Sequence, residues 1–317
     1  MKLATITKSV QDFFFKPIQV QNVALMRIGI GVILLLNWYM IWSHLGVFYS
    51  DSGLVSWETM KHYISPNVFN LYFYFPNDPR TTWLFGVINL LGAIGVFLGL
   101  FTRTSIVLTF LTLVAFHERN IFILNSADLV LRNFLFFMLF SPAGEAYSLD
   151  RWIKVKLGSA SEEPVLRRPW ALRLMQLQFS FIYIATVLFK MKGTYWADGT
   201  AIYIATRLDE FFRIQLSILN SMFAIKMLTW GTLLVEFALG TLIWIRELKY
   251  WVLLAGVGLH LGIELTMSIP LFEWVMIVTM LCMVDPADIN KVELWLRQKM
   301  RSRNRSGVVT SPSISVL

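Results

Sequence analysis

A few ionisable residues interrupt long apolar stretches of this sequence, and such groups can act as acids, bases or ligands. Lys190 closes one apolar stretch, and Glu236 lies near the middle of another. His260 and Glu264 are four residues apart, a spacing that places both side chains on one face of a helix. Charged side chains are expensive in lipid, so they normally face a bundle interior, water or one another. These residues therefore mark a candidate polar pocket.

Each of these groups also has a purely structural interpretation. Lys190 could extend to the membrane interface beside Trp196, as long cationic side chains do. His260, Glu264 and Glu236 could together ligate a metal, but a single histidine in an i, i+4 pair is weak evidence for a metal. A hydrogen-bonded polar pair of His260 and Glu264 is the better interpretation, and we predict no metal site.

A second polar cluster surrounds a predicted turn and contains Glu118, Arg119, Asp128 and Arg132. Asp128 and Arg132 are four residues apart on one predicted helix, which allows an ion pair between them. Ion pairing that locks the helices together and a role in orienting a ligand are equally good interpretations of this cluster.

Membrane-spanning helices are the elements that must position these residues. Of the 317 residues, 56% are hydrophobic and 15% charged, with a mean hydropathy of +0.60, whereas soluble proteins average about 25% charged residues. A soluble globular protein is therefore excluded. Crossing the hydrocarbon core takes about 20 apolar residues, and the runs lack the alternation of barrel strands. We predict an all-α integral membrane protein, a bundle of about eight transmembrane helices near residues 22–44, 82–101, 104–120, 128–143, 171–191, 227–246, 249–268 and 270–286.

The basic residues predict the orientation of this bundle. Lys and Arg accumulate in cytoplasmic segments, and with the N-terminus inside the cell most of them, including Arg27, Arg103 and Arg246, fall on the cytoplasmic side. We therefore predict that both termini face the cytoplasm. The net charge of +8 is explained in this way, and we predict no nucleic-acid partner.

Three regions follow from this pattern. Residues 1–21 are predicted to form an interfacial N-terminal segment, residues 22–288 the transmembrane bundle and residues 289–317 a basic cytoplasmic tail. The external segments 45–81 and 192–226 are too long for simple turns and must be structured. Nearly all ionisable residues within the spans lie toward the outer half, so we expect the polar pocket to open outward.

Several short motifs also occur in order along most of the chain. They are Arg27, Tyr49-Ser50-Asp51-Ser52-Gly53-Leu54, Gly99-Leu100-Phe101-Thr102-Arg103, Arg119-Asn120, Ile123-Leu124-Asn125, Asp128 to Arg132, Tyr147-Ser148-Leu149-Asp150, Gln176-Leu177-Gln178 through Tyr183 to Lys190, Trp196 to Ala201, and His260 to Phe272. Together they resemble the HTTM (horizontally transferred transmembrane) domain family, the bacterial relatives of the membrane domain of vitamin K-dependent gamma-carboxylase.

The resemblance implies a helical bundle whose chemistry faces the outside of a bacterial inner membrane. In the carboxylases, a lysine in the segment matching Phe189 to Lys192 is held to deprotonate vitamin K hydroquinone, and Lys190 is the better match. An amine that loses hydration in an apolar pocket can act as a base near neutral pH. The carboxylases place a histidine in the segment that here reads Asn125 to Asp128, so Ser126 or a neighbour stands at that position.

We therefore predict a multi-pass protein of the bacterial inner membrane whose pocket binds a reduced quinone of the vitamin K or menaquinol type, or a related lipid, and uses it in carboxylase- or epoxidase-like chemistry. Expected partners are membrane lipids and a protein or peptide substrate at the external face. The alternative is a non-catalytic accessory protein for export, maturation or immunity of a partner. The predicted catalytic residues are Lys190 and His260, and the predicted substrate-binding residues are Arg119, Asn125, Asp128, Arg132, Lys192, Trp196, Asp198, Glu236 and Glu264.

Overall fold

The computed structural model describes residues 2–64, 68–76 and 78–306, and most of these residues are helical. Two short strands, β1 (Ile18–Gln19) and β2 (Leu166–Arg167), pair antiparallel. The helices are α1 (Lys2–Phe15), α2 (Gln21–Ile41), α3 (Leu45–Tyr49), α4 (Trp57–Lys61), α5 (Pro79–Leu98), α6 (Thr102–Arg119), α7 (Ser126–Leu139), α8 (Leu149–Lys156), α9 (Trp170–Lys190), α10 (Thr194–Ala197), α11 (Ala201–Ala205), α12 (Met222–Gly240), α13 (Lys249–Thr266), α14 (Phe272–Thr279) and α15 (Pro286–Ser306).

Four helical segments are long and apolar enough to cross a membrane. They are residues 21–49, in which a short 3-10 turn joins α2 to α3, together with α5, α9 and α12. This supports the predicted all-α membrane protein. The other four predicted spans overlap α6, α7, α13 and α14, and within the last of them α14 has eight residues and is followed by a 3-10 turn. Among them, α7 has 14 residues and is about 21 Å long at 1.5 Å per residue, which is short of a hydrocarbon core of about 30 Å. A count of eight crossings and the orientation remain predictions.

Capping residues set the helix boundaries that apolar runs alone misplace. Asp78 caps α5 by accepting a hydrogen bond of 2.8 Å from the Thr81 N–H, and Pro79 occupies the first turn. This hydrogen bond lowers the pKa of the Asp78 carboxyl. The helix therefore begins at Pro79, before the predicted start at residue 82. It ends at Leu98, and the next residue, Gly99, has a φ of 65°, which suits glycine.

Arg27 lies in the interior of the bundle, which corrects its prediction as a cytoplasmic flanking residue. It is fully buried and donates to the carbonyl oxygens of Val96 (2.5 Å), Phe97 (2.8 Å), Ala143 (3.0 Å) and Tyr147 (2.6 Å). Buried guanidinium groups need such partners, because an unpaired buried charge is strongly destabilising. Arg27 thus ties α2 to the end of α5 and to the loop after α7.

The described residues of the segment 45–81 form a small hydrophobic core of their own, which packs against the ends of α5 and α6. This agrees with the prediction that the segment is structured. Buried aromatic side chains dominate this core, among them Trp57 and Tyr72. Burial raises the pKa of the Tyr72 hydroxyl to about 12. The chain after α7 returns through α8 and β2 to α9, which with α12, α13 and α14 surrounds the cavity described next.

Candidate functional site

A cavity of about 370 Å³ lies between α9, α12, α13 and α14, near the end of α9 that carries Lys190. Short helices α10 and α11 and the start of α7 complete its wall. Much of the lining is apolar and includes Ile182, Phe272 and Met276. Ligand pockets typically measure about 300 to 1,000 Å³ and combine apolar walls with a few convergent polar groups. This cavity has both properties.

Lys190 and Glu236 form the first polar unit of the cavity. Lys190 is the last residue of α9, and its Nζ lies 2.5 Å from Oε1 of Glu236 on α12. The same Nζ lies 4.5 Å from the centroid of the Trp196 ring, which attracts a cation through its π face. The side chain of Glu236 is 8% exposed and that of Lys190 is 24% exposed. The amine is therefore held inside the cavity rather than released to the interface.

Tyr183, His260 and Glu273 form the second polar unit. The Tyr183 hydroxyl lies 2.7 Å from Nε2 of His260, and Nδ1 of His260 forms a short contact with Oε2 of Glu273. All three side chains are buried. An ionised carboxylate only accepts hydrogen bonds, so the imidazole proton is assigned to Nδ1 and Nε2 accepts from the tyrosine hydroxyl. The unit is a continuous phenol, imidazole and carboxylate relay.

Two carboxylate oxygens in the residues that line this cavity have no hydrogen-bond donor. They are Oε2 of Glu236 and Oε1 of Glu273, and both atoms are buried among the residues that the structure describes. Buried acceptors are normally satisfied, and leaving one unpaired costs about 1 to 3 kcal/mol. The residues that line the cavity therefore include two carboxylates, each with one buried oxygen that lacks a donor.

The predicted pairing of His260 with Glu264 is wrong. Glu264 lies one helical turn nearer the end of α13, where it accepts from Arg213 at 2.6 Å, and it does not line the cavity. His260 uses Glu273 on the next helix instead. Glu273 was missed because spacing along one helix finds only partners on that helix. Its signal was a carboxylate within an apolar predicted span, which usually faces a polar interior.

The second predicted cluster also pairs differently from expectation. Arg132 on α7 donates to Glu118 on α6 at 2.6 Å, which confirms ion pairing between helices within this cluster, whereas the predicted Asp128–Arg132 pair is wrong. Asp128 instead belongs to a capping box: Asn125 caps α7, and the Asp128 carboxylate accepts from the Asn125 N–H at 2.9 Å. Asn125 and Asp128 line a separate cavity of about 120 Å³. Of this region, Ser126 and Val130 reach the larger cavity.

Three further predicted residues lie outside the larger cavity. Arg119 is fully buried and donates to the carbonyl oxygens of Ser50 and Val55, which gives it a structural role in the external segment. Lys192 is exposed, with its Nζ 5.3 Å from the centroid of the Phe189 ring. Asp198 is also exposed and accepts from the N–H and hydroxyl of Thr200.

The structure therefore brings together Lys190, Trp196, Glu236 and His260 of the predicted set, and adds Tyr183 and Glu273 from the cavity lining. No group of three or more His, Cys, Asp or Glu side chains suited to a metal ion occurs within residues 2–64, 68–76 and 78–306. The chemistry available in the cavity is proton transfer between an amine, an imidazole, a phenol and two carboxylates.

Comparison with known proteins gives one match. The sequence model of the HTTM domain matches residues 15–287 and so includes every residue of the cavity. No curated protein and no solved structure matches the chain.

Proposed function

This chain belongs to the HTTM domain family and is a membrane protein related to the carboxylase membrane domain, and from that premise we propose that its cavity binds a reduced quinone or a related lipid diol and takes a proton from it. The two unpartnered carboxylate oxygens, on Glu236 and Glu273, carry this proposal. Both residues line one largely apolar cavity. A quinol offers two hydroxyl donors on an apolar ring, which matches apolar walls and two carboxylates that each have an oxygen without a donor.

Lys190 is the proposed base. In the resting protein Lys190 and Glu236 form an ion pair. When a ligand excludes water from the cavity, transfer of the Lys190 proton to Glu236 leaves a neutral amine beside a carboxylic acid, because charges are poorly solvated where water is scarce. The neutral amine then takes a hydroxyl proton, and the ammonium that forms lies next to the oxyanion that it stabilises. Trp196 holds the amine over its ring and fixes its direction. When bound, a quinol supplies exchangeable hydroxyl protons and two electrons.

The Tyr183, His260 and Glu273 relay is proposed to serve the second hydroxyl. Glu273 fixes the orientation and tautomer of His260, as the carboxylate does in a serine-protease triad. His260 can accept the Tyr183 proton at Nε2, and Tyr183 then accepts a proton from the ligand. In this way the relay moves one proton from the cavity to the buried imidazole of His260, and Glu273 stabilises the imidazolium that forms.

Quinone retention after gentle purification tests this proposal. Menaquinone or ubiquinone extracted from the purified wild-type protein and measured by mass spectrometry should approach one molecule per chain. Glu273→Gln and Glu236→Gln each replace one acceptor and should lower this content at least tenfold. Glu264→Gln is the matched control, because Glu264 pairs with Arg213 outside the cavity, and it should retain the wild-type content. Equal quinone content in all four proteins would refute the proposed site.

A specific surface favours the accessory role as a second candidate. Phe69 and Tyr74 in the first external segment are 51% and 73% exposed, and their ring centroids lie 6.4 Å apart. Exposed aromatic pairs are common at protein interfaces. We propose a protein or peptide partner at this pair. In a complementation assay, the double variant Phe69→Ser, Tyr74→Ser should then lose function, whereas Lys190→Ala should retain it. Loss of function in Lys190→Ala alone would support the quinol site and contradict the accessory role.

A further inference from the structure

A third cavity lies at the opposite end of the bundle from Lys190, where α9 and α13 begin and where the segment after α14 leads into α15. Its volume is about 550 Å³, and its wall includes β1, the first turns of α9 and α13, and the start of α15. Arg173, Lys249 and Lys291 contribute three cationic groups, and Asp285 is the acidic residue of the lining. We call it the Arg173–Lys249 cavity.

The cations of this cavity are incompletely neutralised. Lys291 already pairs with Asp288 at 2.7 Å. Within the described part of the chain, neither Arg173 nor Lys249 has a carboxylate within 4.0 Å. Arg173 is held in place by neutral groups, since its Nε donates to the Phe13 carbonyl at 3.0 Å and its Nη1 to Gln176 at 2.8 Å. Its remaining nitrogen, Nη2, is therefore available to an anion.

The backbone adds to the positive potential of the cavity. Both α9, with 21 residues, and α13, with 18 residues, begin without a side chain that caps their N-terminal N–H groups. Helix N-termini carry partial positive charge and bind phosphate readily. By contrast, Asp285 caps the start of α15 and accepts from the Ala287 N–H at 2.9 Å. One oxygen of the Asp285 carboxylate is thus engaged with the backbone, while its charge acts on Arg173 from beyond ion-pair distance. One carboxylate cannot neutralise both Arg173 and Lys249.

The position of this cavity along the helices indicates which kind of anion it binds. It lies at the ends of apolar helices, which is the level of the lipid headgroups in a membrane protein, and basic pockets at this level bind anionic lipids. We propose that the Arg173–Lys249 cavity binds the phosphodiester headgroup of an anionic phospholipid.

Lipid binding to the purified full-length protein tests this site, with dioleoylphosphatidylglycerol as the probe and dioleoylphosphatidylcholine as the zwitterionic reference. Native mass spectrometry in a mild detergent gives the affinity of each. Arg173→Gln with Lys249→Gln should weaken phosphatidylglycerol binding about 30-fold, or about 2 kcal/mol, since each cation near the surface contributes about 1 kcal/mol. Among the described residues the Lys249 side chain makes no hydrogen bond, so Lys249→Gln alone removes only a charge and should weaken binding about fivefold.

The matched control is Lys8→Gln with Lys156→Gln, which removes the same charge from exposed positions outside the cavity and should change the affinity less than twofold. Unchanged phosphatidylglycerol binding in the Lys249→Gln protein, an equal loss in the control, or equal affinity for phosphatidylcholine would overturn the proposal. Displacement of the lipid by excess inorganic phosphate would overturn the lipid as the source. The quinone content of these variants should not change, so this result is independent of the proposed quinol site.

Discussion

Removal of the Lys190 amine should destabilise the protein through the carboxylate that it leaves behind. In Lys190→Met, Glu236 loses its partner at 2.5 Å while its side chain is only 8% exposed. Breaking a fully buried ion pair costs about 3 to 5 kcal/mol. The Lys190 side chain is 24% exposed, so water relieves part of this cost, and we expect a loss of about 2 kcal/mol. Since 1 kcal/mol moves the midpoint of a large domain by about 2 °C, Tm should fall about 4 °C.

A double-mutant cycle separates this effect from lost packing. Glu236→Gln removes the charge that Lys190→Met leaves unpaired, so the double variant should be more stable than the sum of the single changes predicts, by about 1 to 2 kcal/mol. Thermal unfolding of the detergent-solubilised proteins measures each Tm. Arg213→Met is the control, because Arg213 pairs with Glu264 at 2.6 Å but is 38% exposed, and exposed pairs contribute less than about 1 kcal/mol. A buried pair would be refuted if the stability changes of Lys190→Met and Glu236→Gln were additive and if Lys190→Met lowered stability no more than Arg213→Met.

Three further predictions concern the frame around the site. Arg27→Gln should lower the unfolding free energy by at least about 3 kcal/mol, because buried carbonyl oxygens lose their donors. Thermal or denaturant unfolding measures this change. The control is Arg103→Gln at an exposed position, which should change the unfolding free energy by less than about 0.5 kcal/mol. Asp78→Asn should make the unfolding free energy less dependent on pH at acid pH. The pKa of Asp78 is lowered in the folded protein, so the ionised carboxylate stabilises the fold above about pH 4, and this stabilisation is lost as the pH falls through the folded pKa. An ultraviolet titration should show Tyr72 ionising near pH 12. Tyr72→Phe should therefore lower the amplitude of the absorbance change near pH 12, and an unchanged amplitude would contradict the assignment.

The helices could be predicted from sequence because apolar runs of membrane length are a strong local signal. Each predicted span contains a helix, although α14 covers only Phe272–Thr279 of the span 270–286. Some of the other shifts occur where a capping side chain sets the start of a helix. For example, Ser221 caps α12, which begins at Met222 and ends at Gly240 rather than covering residues 227–246. The described part of the N-terminal segment forms α1 over Lys2–Phe15, and residues 307–317 of the predicted tail lie outside the described residues.

The site was only partly predictable, because its contacts join different helices. Lys190 and His260 were identifiable as polar residues in apolar segments, but their partners, Glu236 and Glu273, are 46 and 13 residues away in sequence. Spacing of i, i+4 instead suggested partners on the same helix, and it failed for Glu264. Helix packing brings distant residues together, and a single sequence does not specify which faces meet.

Photoaffinity labelling with an azido analogue of menaquinol tests the central claim most directly. The protein, in lipid nanodiscs, is labelled, digested and analysed by mass spectrometry. We predict crosslinks in the cavity wall, at residues such as Ile182, Ile263 and Met276, that excess menaquinol suppresses and that Glu273→Gln weakens. Crosslinks that lie instead on the outer faces of α2 and α5, or that excess menaquinol leaves unchanged, would contradict a quinol site in this cavity.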